Sequence, residues 1–213
     1  MGVLDDLKKQ AESTKARQQA EEERREALES FCRTDILSKL SDLYTYLFEL
    51  SEYLNYVKPE IALTYELEGC VSLDVLRQCA YEINVDSRQN MKKIDFDFPC
   101  EGDGEPVAFK VEGKKRAEET IQFLRNTGLT FRHKQRRGGQ EALVTAQFVV
   151  ERKVPVRFGF TANLEQGAID LTIKNFEALR LLKLQVKPDA ITEDYLEKLA
   201  KYILAGGCWF SEA

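Results

Sequence analysis

The sequence predicts an α+β protein: a long N-terminal helical segment followed by a mostly antiparallel, multi-stranded sheet packed on one face by helices. Three observations predict it. Residues 3–57 contain neither proline nor glycine and are dominated by good helix formers. From Pro59 onward, apolar residues alternate in two-residue steps over short runs separated by turn residues. Helical signals then recur at only two places instead of after every strand, which is a pattern of antiparallel pairing and not of a doubly wound fold.

The helical segment has two characters. Between residues 8 and 26 the only apolar side chains are Ala11, Ala16 and Ala20, so this stretch reads as a solvated helix or arm. Pairs four apart, such as Lys8–Glu12 and Glu21–Arg25, support it by about 0.2–0.5 kcal/mol each. From Leu28 the pattern changes. Leu40, Leu43, Leu47, Leu50, Leu54 and Val57 recur at steps of three and four, a seam that two helices share or that a helix lays on a sheet. The seam is the expected self-association surface. Tyr44, Phe48 and Tyr53 widen its apolar face, which favours docking on a globular body. Thr34 or Asp35 is placed to cap a second helix if the segment breaks there.

Strand signals follow. Ile61, Leu63, Tyr65 and Leu67 alternate up to Gly69. Tyr81, Ile83 and Val85, then Ile94, Phe96 and Phe98, read as a hairpin, with a loop expected from Pro99 to Pro106. Val107, Phe109 and Val111 form a short strand. KKRAEETIQFLRNT is a helix stopped by Gly128. Further strands are expected at 129–135, 144–150, 154–160, 169–173 and within 178–186, with turns at Gly138–Gly139 and 163–167. The last helix is capped by Thr192, with Glu193 and Asp194 in its first turn and a staple from Ile191 to Leu196. Its expected apolar stripe is Tyr195, Leu196, Leu199, Ile203 and Leu204. The expected organisation is a helical segment over 1–58 and an α+β domain over 59–213.

Charge and composition narrow the function classes. The 213 residues are 43% hydrophobic and 31% charged, with a net charge of −5. A mildly acidic chain is not drawn to nucleic acid or anionic membrane, so nucleic acid is not the expected partner. No run of about 18 apolar residues marks a membrane span. The opening MGVLDDLKKQ lacks the apolar core of about 7–15 residues of a secretory leader. Asp6 also breaks the myristoylation pattern. Five scattered cysteines, an odd number, suit reduced thiols, and the expected location is cytoplasmic.

Four groups of side chains are candidates for chemistry. His133 is the only histidine, so any histidine-based catalysis needs it; a histidine part-buried at a strand end is the plainer reading. Asp95, Asp97 and Asp103 lie in IDFDFPCEGDGEP, where alternation sets Asp95 and Asp97 on one strand face; the calcium-loop spacing is missing, and a solvated face is the plainer reading. Arg132, Lys134, Arg136 and Arg137 adjoin Phe131, with Arg152, Lys153 and Arg157 as neighbours if the strands pair; RNA or an acidic partner fits them, and a charged sheet edge is the plainer reading. Cys208, Trp209 and Phe210 suit either a contact anchor or packing on the body. No phosphate-binding glycine motif is present, and no cofactor is expected. The chain therefore reads as a non-enzymatic protein-interaction or scaffold protein associating through its N-terminal helix. Alternatives are a small-molecule pocket between sheet and helices, lined by Phe148, Phe158 and Phe160, and RNA binding at the basic strand.

Overall fold

The proline- and glycine-free segment forms one helix, α1 (Val3–Val57), 55 residues long. The structure, a computed structural model, describes residues 3–67, 71–137 and 144–205, with all side chains in those spans except at 3–13, 16, 27–29, 31, 32, 136, 137 and 144. The segment does not break near residue 34. Thr34 Oγ1 donates back to Ser30 O at 2.9 Å instead of capping a new helix, and the helix runs on.

The strands divide into two sheets. The larger has seven strands in the order β1 (Ala62–Leu67), β2 (Val71–Gln78), β4 (Lys93–Glu101), β8 (Lys153–Asn163), β9 (Ala168–Lys174) and β10 (Leu181–Val186), with β3 (Glu82–Val85) also pairing with β4. Every pair is antiparallel. The hairpin between β3 and β4 falls where the alternation places it. Strand β2 does not follow from alternation: its buried residues are Leu73, Leu76 and Gln78, and the register shifts by one between Leu63 and Tyr65 of its partner. Val75 takes up the extra residue at φ 54. This bulge breaks the two-residue period that marks a strand.

β4 also runs further than expected, through Pro99 to Glu101. Pro99 lies opposite Pro155 of β8. Their carbonyls accept from Cys79 N at 3.1 Å and from Asn175 Nδ2 at 2.9 Å, so each proline turns its missing N–H away from the other. One missing donor meets the irregular join between β2 and β3, the other the end of β9. A proline is tolerated in a strand where the ladder is already broken.

The smaller sheet comes from residues between β4 and β8. It comprises β5 (Val107–Glu112), β6 (Phe131–Arg137) and β7 (Val144–Val150) in the order β5–β7–β6. Helix α2 (Lys114–Thr127) connects β5 to β6 and ends on Gly128 at φ 75. Its Ala117 and Leu124 are buried with Val111, Ala146, Phe148 and Val150. A 3₁₀ turn, Pro188–Ala190, leads to α3 (Glu193–Ala205). Tyr195 N donates to Thr192 Oγ1 at 3.3 Å, the expected cap. Ile191 and Leu196 of the staple are both buried. The α3 stripe differs at its end. Ala200 and Tyr202 are buried, whereas Leu204 is 43% exposed.

One face of the larger sheet is apolar. Ile94, Phe96 and Phe98 of β4 and Val154, Val156, Phe158 and Phe160 of β8 are at most 2% exposed, beneath α1 and α3. Ile36, Leu40, Leu43, Leu47 and Leu54 of α1 belong to this same core. The inner part of α1, from residue 36, is thus continuous with the sheet's core across the boundary expected at 58. No helix of the described residues is long and apolar enough to cross a membrane.

Candidate functional site

The acids of β4 lie on the polar face of the larger sheet, as alternation requires. Lys93 Nζ bonds Asp95 Oδ2 at 2.6 Å, and Lys153 Nζ meets Glu101 Oε1 at 2.6 Å. Arg157 grips Asp97 with both ends of its fork, Nε to Oδ1 at 2.5 Å and Nη2 to Oδ2 at 3.0 Å. The bond to Asp97 holds the Arg157 pKa above its ordinary value, outweighing the opposing effect of burial. The bond to Glu101 does the same for Lys153. Gly159 sits across the ladder from Asp95, where a Cβ would come within 3.1 Å of Asp95 Oδ1 and 2.7 Å of Thr172 Oγ1. The missing side chain is what lets the Asp95 carboxylate lie over the sheet. Each acid of the strand has its own cation, and the row is an ion-pair ladder.

Asp103 is exposed in the loop after β4, and His133 is on β6 of the other sheet. The four expected residues therefore form one pair and two separate positions. Among the described residues, no three His, Cys, Asp or Glu side chains are grouped to hold a metal ion.

His133 is exposed in the middle of an edge strand, and not part-buried at a strand end. Phe109, Phe148 and His133 stand opposite one another across β5, β7 and β6. Phe109 stacks on Phe148 at 5.3 Å and His133 on the far side of Phe148 at 5.9 Å. The imidazole is the outer ring of an aromatic row.

The strand alternation sends Arg132 and Lys134 to the opposite face. There they border an open hollow of about 370 Å³ together with Gln147, Val149 and Glu151, and Phe131 and His133 also line it. Arg152, Lys153 and Arg157 do not join them. Arg152 Nη2 donates to Asp74 O, and the other two are in the ladder. The side chains of Arg136 and Arg137 lie outside the described residues, as do Gly138, Gly139, Cys208, Trp209 and Phe210. The open face carries two described cations, Arg132 and Lys134, beside the acid Glu151.

Phe148, Phe158 and Phe160 are packed solid. Phe148 belongs to the core of the small sheet. Phe158 meets Phe98, Phe176 and Tyr202 at centroid distances of 5.0–6.2 Å. All three rings are buried side chains of the core.

The leucine seam lies within the chain's own core: Leu40, Leu43 and Leu47 are fully buried, Leu54 is 5% exposed and Leu50 half-buried. What α1 presents outward is its other half. Every side chain described between residues 14 and 34 is exposed. The body last approaches α1 at the β8–β9 turn, where Leu164 and Glu165 face Glu26, Ser30 and Arg33 across a hollow of about 440 Å³. Beyond it, residues 3–25 extend as a helix of roughly 35 Å at 1.5 Å per residue.

A buried polar chain went unseen in the sequence. Gln78 Nε2 donates to Ile203 O at 3.1 Å, satisfying a carbonyl at the end of α3. Tyr81 Oη donates to Gln78 Oε1 at 3.0 Å, and Asn55 exchanges two bonds with the Tyr81 backbone, at 2.8 and 2.9 Å. Nearby, Tyr65 Oη donates to Cys100 Sγ at 3.6 Å. Burial pushes the Cys100 thiol up to about 12, so it stays protonated and unreactive at neutral pH. These groups pin α1, α3 and β2 together.

The chain is an α+β protein with a closed body and a projecting helical arm. No family model, curated protein or solved structure matches it.

Proposed function

We propose that this is a non-enzymatic interaction protein that associates through the outer half of α1. The observation carrying the proposal is the division of α1. Its inner leucines are buried under the chain's own sheet, while the side chains described over 14–34 are exposed along a helix that leaves the body. An isolated polar helix gains little stability from propensity alone, and helices are held mainly by packing. The arm therefore has something to gain from a partner. The body is a platform: its polar face is closed by ion pairs and its apolar face by helices.

Solution mass tests this reading. The full chain is expected to be heavier than a monomer at low salt, and a chain starting at Asp35 is expected to be monomeric. If both are monomers over the whole concentration range, the arm has no role in self-association and the reading is withdrawn.

A further inference from the structure

We infer that the arm pairs antiparallel with the arm of a second copy of this chain. This rests on the reading of the arm as the association element, and adds the partner and its orientation. The observation is the charge along the helix. Residues 8–17 carry Lys8, Lys9, Lys15 and Arg17 against Glu12 alone, a net charge of +3. Residues 21–29 carry five glutamates against Arg24 and Arg25, a net charge of −3. Both blocks lie on one continuous helix.

Such a helix is complementary to itself in one orientation only. Antiparallel pairing that lays residue 8 beside residue 30 lays residue 17 beside residue 21, so each basic block faces an acidic one. Parallel pairing in register sets +3 against +3 and −3 against −3, and like charges repel. A parallel stagger satisfies one block of each copy and leaves the other open, giving a chain of copies in place of a closed pair.

One further feature fits the antiparallel register. Helical spacing puts positions Leu4, Leu7 and Ala11 on one face with Leu28 and Cys32. Antiparallel pairing brings the outer group of one copy to the inner group of the other, at both ends of the overlap. The middle of the overlap is polar, so the pair is held largely by charge and weakens with salt.

Sedimentation velocity on the full chain is expected to give a dimer at low salt that dissociates as salt is raised. Replacing Lys8, Lys9, Lys15 and Arg17 with Glu makes the whole arm acidic and is expected to give a monomer. Replacing Glu21, Glu22, Glu23 and Glu26 with Lys makes it basic, with the same result. A one-to-one mixture of the two is expected to dimerise again. None of these residues is among the described residues of the core, and circular dichroism checks that the body stays folded. Orientation is read by disulfide trapping: oxidising a Leu7→Cys variant is expected to link position 7 of one copy to Cys32 of the other, mapped by mass spectrometry. A Cys32–Cys32 link between copies of the unaltered chain overturns the antiparallel arrangement and leaves association through the arm standing. Monomers at every salt concentration remove both.

Discussion

Asn175 carries more of the fold than its place after β9 suggests. It is 1% exposed, and its backbone is left-handed at φ 56, a region asparagine tolerates better than most residues. Its Nδ2 donates to Thr127 O at 2.7 Å and to Pro155 O at 2.9 Å. The first is an end carbonyl of α2, which has no partner within its own helix. The second is the carbonyl that β8 turns toward the end of β9. One amide thereby ties the small sheet's helix to the larger sheet. Asn175→Ala removes both donors and leaves two carbonyls without this partner in a buried place. The expected loss is about 2–4 kcal/mol in denaturant unfolding. Asn175→Asp is expected to be worse, because a carboxylate cannot donate and would face two carbonyl oxygens. The residues around it, IKNFEAL, signal no more than a turn, because the two acceptors lie 48 and 20 residues away in sequence.

Elements were legible to the degree that their causes are local. α2 ends on Gly128 and α3 begins on Thr192 because caps act within a turn of the backbone they satisfy. β2 was not legible, because its bulge is local but the reason to form it is not. Leu73 and Leu76 both have to reach the core beside β1, and three residue steps do not return a strand to the same face. Val75 absorbs the mismatch at φ 54 while 60% exposed. A β-branched residue is strained there, and little of it is buried. Val75→Gly or Val75→Asn is therefore expected to raise stability by about 0.5–1 kcal/mol, seen as a higher melting temperature. Leu76→Ala, one residue on and fully buried, is expected to cost about 2–5 kcal/mol. A destabilised Val75→Gly would mean that the bulge is held by the valine and not despite it.

For the molecule as a whole, the decisive fact is that α1 belongs to two places. Ile36, Leu40, Leu43, Leu47 and Leu54 share one core with β4, β8 and α3, while the side chains described over 14–34 bury nothing. Removing residues 1–34 is expected to change the stability of the body by no more than about 0.5 kcal/mol, as for surface changes generally. Removing residues 1–57 takes away five buried core side chains and is expected to abolish the cooperative unfolding transition. Calorimetry of the two truncated chains distinguishes these outcomes. Equal behaviour would show that α1 is an appendage along its whole length.

The amino-acid order by itself determined the class of the fold, the extent of α1, most strands, and the polar arm with its opposed charge blocks. Propensity, alternation, capping and charge all act over a few neighbouring residues, so they can be read in line. Only the tertiary structure decided that the leucine seam meets this chain's own sheet, that the strands split into two sheets, and that the acids of β4 are each held by a cation. An apolar stripe records that it must be covered but not by what, and a carboxylate does not record its distance from a cation 60 residues on. Those answers depend on which strands lie side by side, and that is a property of the packed whole.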